Sequence, residues 1–220
     1  MSGSRTPIIA VGEAATRALA EAGIACAPES VIAGARGRLL VVAVDVTDER
    51  ALPIAEELVH RASLAGAAAT LAVRARSVAM PALRARAQRL GAAIVVNATP
   101  DVGVADLCRA LVEAIEVPGL IGYPPDALHA LCGRRAVGVI HRWLSPPCVE
   151  APVDAPPALA AALTHATVVQ MLMRAGPDVT LYEMNELASA VSRAFDGDEL
   201  FFGAVIIDVA ATTVLLSLFD

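Results

Sequence analysis

Three short runs of almost wholly apolar, largely β-branched residues decide the class of fold open to this chain: Leu-Leu-Val-Val-Ala-Val at 39–44, Ala-Thr-Leu-Ala-Val at 69–73 and Ala-Ala-Ile-Val-Val-Asn at 92–97. A strand that is apolar on both faces must be covered on both, which is the habit of parallel sheets flanked by helices. The stretches between the runs agree. Residues 53–64 are amphipathic, with Ile54, Leu58 and Ala62 spaced for one buried helical face, and 80–90 has helical composition. Strand, helix and strand at this spacing predict a parallel βαβ unit, because parallel neighbours need a crossover long enough for a helix. A run at 8–11 ending in Gly12, a helix over 13–22 and another over 104–116 extend the pattern. Residues 1–118 therefore read as an open α/β domain.

Beyond Pro118 and Gly119 the rhythm changes. A strand over 136–143 leads into a proline-rich loop, an alanine-rich helix ending near His165 and a strand over 167–173. After the turn Gly176-Pro177-Asp178, the spacing of Thr180 and Glu183 is that of a capping box. The helix it opens carries Leu181, Met184, Leu187 and Val191 on its predicted buried face. Strands over 201–207 and 212–219 are expected to close the chain as a hairpin, so residues 119–220 read as an α+β domain with a mainly antiparallel sheet. The segment 201–219 is nearly long enough to cross a bilayer. Asp208 at its centre would cost about 2.5–3.5 kcal/mol there, and its many β-branched residues favour strands.

Hydrophobic residues make up 56% of the chain and charged residues 18%, which excludes a disordered protein, and the net charge of −6 without a basic run excludes a nucleic-acid-binding face. Cys26, Cys108, Cys132 and Cys148 form no CxxC pair, and the N-terminus lacks the layout of a signal peptide, so free thiols and a cytoplasmic location are expected. His129, Cys132, His141 and Cys148 have the side chains zinc uses but not a zinc spacing, and no metal is expected of them. Asp45, Asp48 and Glu49 could form a magnesium or acid/base cluster, but acidic residues favour the first turn of a helix, and a solvated helix start is the preferred reading.

A family resemblance rests on three segments. Gly176-Pro177-Asp178-Val179-Thr180-Leu181-Tyr182-Glu183-Met184-Asn185-Glu186 resembles the G-x-D-L-x-L-x-E-V-N-E segment of the FtsZ C-terminal domain, and Phe202-Gly203-Ala204-Val205-Ile206-Ile207-Asp208 resembles its F-G-A-V-I-D-D strand. Val117-Pro118-Gly119-Leu120-Ile121 is similar to the V-P-G-L-I that follows the family's central helix and opens its catalytic loop. The resemblance implies a shortened FtsZ/tubulin-like protein. Residues 1–118 would be a reduced GTPase-like domain ending in the central helix, and 119–220 the C-terminal domain. Val11-Gly12 would begin the first phosphate loop, and the strand at 39–44 would feed the main one.

The motifs of that chemistry are eroded. In the family a G-G-G-T-G-S/T-G loop lets backbone N–H groups cradle phosphate. Here the equivalent place holds Asp45-Val46-Thr47-Asp48-Glu49-Arg50-Ala51-Leu52, without a glycine. A carboxylate about 5 Å from a phosphate charge opposes binding by about 3 kcal/mol at an effective dielectric near 20. The remnant site is thus Gly12, Asp45, Thr47 and Asp48, with GTP disfavoured and no cofactor expected. In the family an N-x-D-x-x-D loop positions the attacking water in the next subunit. Here Pro124 and Ala127 hold the two acidic positions, and Asp126, one residue away, is turned by about 100° on a helix.

The expectation is a pseudo-GTPase with a structural or regulatory role, associating with itself or with an FtsZ-family protein. Its contact would be the loop 119–126, where Gly119, Tyr123, Pro124 and Asp126 offer a stiff, partly apolar surface. The alternative is an unusual GTP-binding protein or a small-ligand enzyme using the cleft after Val44. The sequence ends at Asp220 directly after its last strand, so the family's tether-binding tail is expected to be absent, with no direct membrane contact and only an indirect role in cell division.

Overall fold

The computed structural model describes residues 6–47, 50–75, 79–116, 121, 125–144, 153–209 and 211–220, with backbone alone for 114, 115 and 125–129. In chain order the strands are β1 (Ile8–Val11), β2 (Leu39–Asp45), β3 (Ala68–Arg74), β4 (Ala93–Asn97), β5 (Val137–Leu144), β6 (Val168–Ala175), β7 (Glu199–Ile206) and β8 (Thr213–Phe219). The helices are α1 (Glu13–Glu21), α2 (Ala51–Leu64), α3 (Met80–Leu90), α4 (Val104–Glu116), α5 (Pro125–Arg134), α6 (Pro157–Leu163) and α7 (Leu181–Ala194). All eight strands join in one sheet, in the order β1-β2-β3-β4-β5-β8-β6-β7.

Strands β1 to β5 are parallel, as the doubly apolar runs require. The two halves of the chain therefore share a sheet across the β4–β5 pair. The expected division at 118 falls within 117–120, outside the described residues. The expected terminal hairpin does not form. Strand β8 instead lies between β5 and β6, antiparallel to both, and β7 pairs in parallel with β6 at the edge. The reason is visible in burial: every residue of β8 is buried, whereas Glu199 to Phe202 of β7 stay partly exposed. A doubly apolar strand takes the central place and the less apolar one the edge. The β6–β7 crossover is α7, whose capping box forms as expected. Thr180 Oγ1 accepts the Glu183 N–H at 3.2 Å, and Glu183 Oε2 accepts the Thr180 N–H at 2.7 Å.

Helices cover both faces. Leu19 of α1, Leu107 and Leu111 of α4 and Leu131 of α5 pack on one face over Val41, Val95, Ile140 and Leu172. Leu58 and Val59 of α2 and Ala87 of α3 pack over Leu40, Val42, Leu71 and Ile94 on the other. Beside them, Leu163 of α6 and Met184 and Leu187 of α7 cover Val169, Met171 and Leu216. Helix α4 is the common piece, since it packs against β2, β3 and β4 and also against β6, β7 and β8. Two polar contacts fasten it: the Gln170 amide donates to the Ala110 carbonyl, and Arg174 Nε donates to Glu113 Oε2 at 2.8 Å.

Three expectations need correction. Ile54 is 52% exposed, because α2 begins at Ala51 and buries the stripe Ala51, Ala55, Leu58, Val59 and Ala62. Leu181 is 66% exposed, because the first turn of α7 overhangs the sheet and burial begins at Met184. The expected loop 119–126 is cut short at Pro125, which begins helix α5, since proline fits a first helical turn. The segment 201–219 forms β7 and β8, and among the described residues no helix is long and apolar enough to cross a membrane.

Glycine is required at 138. Gly138 is the register partner of Phe219, and a Cβ there would lie 2.5 Å from the Phe219 ring. Gly138→Ala should destabilise the protein by about 1–3 kcal/mol in chemical denaturation. Gly34→Ala, where an added Cβ meets nothing within 4 Å, should change stability by no more than about 0.5 kcal/mol.

Candidate functional site at the strand ends

Strands β2, β3 and β4 each end an apolar run on a polar residue: Asp45, Arg74 and Asn97. Because the strands are parallel and in register, the three side chains collect at one end of the sheet, where open α/β sheets place their ligands. Arg74 Nη1 donates to Asp45 Oδ2 at 2.9 Å, and the Thr47 N–H donates to Asp45 Oδ1 at 3.1 Å. The Val46 N–H donates to the Arg74 carbonyl at 3.0 Å, and Asn97 Oδ1 accepts the Ala75 N–H at 2.6 Å. Above this frame lies a cavity of about 540 Å³, with Met80, Pro100 and Val139 among its apolar walls.

Asp45 is 5% exposed. Burial alone would raise its carboxyl, but the hydrogen bonds from Thr47 and the Arg74 guanidinium outweigh burial and hold it below the usual carboxylate range. It is therefore an anion at neutral pH, matched by a cation. Such a pair leaves the cavity floor close to neutral and suited to uncharged hydrogen-bonding groups. The first two amide donors after β2 already have acceptors, so they are not the open N–H groups that a phosphate needs.

Of the residues singled out from sequence, Asp45 and Thr47 line this cavity. Gly12 does not. It turns the chain from β1 into α1 at φ 84°, ψ 157°, a left-handed φ that glycine alone adopts easily, and its carbonyl accepts Thr16 Oγ1 at 2.9 Å. Asp48 and Glu49 lie outside the described residues, as do Gly119, Tyr123 and Pro124; the Asp126 backbone is in α5. Arg74 and Asn97 were missed, although the recurrence of a polar residue closing each apolar run was there to be read.

Of the zinc-type side chains, those of Cys132 and His141 are described. Cys132 is buried with its Sγ 3.0 Å from Thr70 Oγ1, His141 belongs to β5, and the His129 side chain and Cys148 lie outside the described residues. Among the described residues no group of three or more could hold a metal. Burial pushes the Cys108 thiol up to about 12 and the Cys132 thiol up to about 11, so both are neutral, inert packing groups. Burial likewise lowers His141, favouring the neutral imidazole.

No protein-family model matches the sequence, and no curated protein matches it. Solved structures do match in shape. An empty FtsZ dimer from M. jannaschii superposes with a TM-score of 0.64 at 17% identity, over 94% of this chain and 68% of that one. A mutant FtsZ from M. jannaschii gives 0.63 at 17% identity, over 87% and 69%. A GTPγS-form protofilament of TubZ from Bacillus thuringiensis serovar israelensis gives 0.50 at 10% identity, over 83% and 60%. At these identities the likeness establishes the fold, which is that of FtsZ and tubulin.

The Asp45 pair makes a pH-dependent prediction. Asp45→Asn should cost about 1–2 kcal/mol at pH 7, allowing for the partly exposed Arg74. A depressed folded-state value makes this contribution fully present above the unfolded value near 3.9 and lost as pH falls through the folded one. Urea denaturation of the two proteins should therefore differ at pH 7 and converge below about pH 4.

Proposed function

We propose that this FtsZ-fold chain is a pseudo-GTPase with a structural or regulatory role in the cytoplasm, acting by association with itself or with an FtsZ-family protein. Residues 1–118 are then the reduced GTPase-like half and 119–220 the half that carries the contact. The observation behind this reading is the turn after β2. Its buried anion accepts the Thr47 N–H, its Val46 N–H is bound to Arg74, and the nearby guanidinium is held by Asp45. A phosphate entering there would find a floor whose charges already cancel and N–H donors that are already occupied, with nothing left to hold it.

Self-association has a precedent in the matching FtsZ structure, an empty dimer. The contact assigned to this chain is the loop 119–126. Supporting it, Ile121 exchanges backbone hydrogen bonds with Ala204 at 3.1 and 3.4 Å, which fastens that residue to the edge strand β7. A role in cell division would run through that contact.

A second reading draws on the 540 Å³ cavity over Asp45, Arg74 and Asn97, which has the size of a small-ligand site. There the chain would be an unusual GTP-binding protein or a small-ligand enzyme. Calorimetric titration with GTP and magnesium, with phosphate release measured in parallel, separates the readings. The pseudo-GTPase gives neither micromolar binding nor turnover; saturable binding with turnover establishes the second reading instead. For association, light scattering should show an assembly for the wild type that Tyr123→Ala reduces to monomer. A wild type that stays monomeric at high concentration and binds no FtsZ-family partner would refute the proposed role.

A further inference from the structure

A second cleft, of about 480 Å³, lies at the opposite ends of the strands, between the start of β1, the segment 24–27 and the last two turns of α4. We infer that it is a binding site for an uncharged, largely apolar small molecule of two or three fused rings. Its apolar walls are Pro7, Ile8, Ile24, Ala25, Ala27 and Val112, with the thiols of Cys26 and Cys108 beside them. The Ala27 N–H donates to the Ile8 carbonyl at 2.7 Å, holding the 24–27 segment along the outer edge of β1 so that the cleft stays open between that edge and α4.

The polar groups around the cleft are already engaged by the protein. Arg109 donates to Asp106 Oδ1 at 3.2 Å and to the Ala22 carbonyl at 3.2 Å, Glu113 holds Arg174, and Glu116 accepts the Thr6 N–H. A charged ligand would surrender hydration for groups already paired. An apolar ligand displaces water from apolar walls. An anion in particular would meet the Glu113 and Glu116 carboxylates and a guanidinium, Arg109, that Asp106 already holds. A dry cavity of about 150 Å³ holds benzene, and this cleft is about three times larger, which sets the ring count.

The ligand would touch β1, the 24–27 segment and α4 together, and α4 is the helix that both halves of the sheet share. Occupancy would thus brace the carboxyl end of α4, just before the loop 119–126. The site itself stands whether or not the association reading holds.

The full chain is titrated with aminoanthracene, which is uncharged at neutral pH, and with the anionic dye anilinonaphthalenesulfonate. Saturable fluorescence enhancement is expected from the first and none from the second. Ala25→Phe, at an exposed position on the cleft wall, should weaken aminoanthracene binding about tenfold or more. Ala98→Phe, in the other cavity, should leave it unchanged. A second measurement spares the cleft: in Cys148→Ser, saturating aminoanthracene should slow alkylation of the exposed Cys26 by iodoacetamide. The inference is overturned by an absence of saturable binding, by equal binding of the anion, by loss in Ala98→Phe, by unchanged binding in a folded Ala25→Phe, or by an unprotected Cys26.

Discussion

One helix decides how much of this molecule can move independently. Helix α4 lies over six strands drawn from both halves, and its Val104, Leu107, Cys108, Ala110 and Leu111 are almost wholly buried. Each fully buried leucine contributes about 1.5–3 kcal/mol, so separating the halves would expose much of what stabilises either one. The contact is also specific. Strand β6 is apolar except for Gln170 and Arg174, and both reach α4, binding the Ala110 carbonyl and the Glu113 carboxylate. These bonds fix how far along the strand the helix sits, a role that apolar packing alone fills loosely. The two clefts lie toward the two ends of the same rod.

The strand-end cavity takes its character from the way its backbone groups are satisfied. In an open α/β sheet the carboxyl ends of the strands present unpaired backbone groups, and whatever satisfies those groups defines the site. Here the protein satisfies them itself, with Asp45, Arg74 and Asn97 bridging neighbouring turns. A buried carboxylate held by such donors is stable where it is, and removing Arg74 would leave a buried charge unmatched. The floor of the cavity is thus held by the same strand ends that it bridges.

Much of this was legible in the residues, for reasons that differ by element. The run 39–44 is apolar on both faces and could only be an inner parallel strand, while the Thr180–Glu183 spacing marks the start of α7 to the residue. What periodicity cannot convey is neighbourhood. Strands β7 and β8 are separated by six residues and read as a hairpin, yet β8 is better covered between β5 and β6. The same limit hid the site. Asp45 stood out by its place after a strand, but its partner Arg74 lies 29 residues away and becomes a neighbour only through register. The loop expected over 119–126 gives way to α5 at Pro125 because a proline that breaks a helix in its interior suits its first turn.

The central place of β8 has a kinetic consequence. Strands β5 and β6 have no direct pairing, so until residues 213–219 arrive each has an open edge and the sheet stays in two pieces. The pairing that closes the gap joins Gly138 to Phe219 and Val168 to Phe219, contacts that span much of the sequence. Contacts of such long range form slowly, because the chain entropy of closing the loop is lost before the contact is gained. During synthesis the nascent chain would wait, with two unpaired apolar edges, for residues 213–219 to clear the ribosome. In that interval, more than at any later time, it would be open to aggregation or to help from a chaperone.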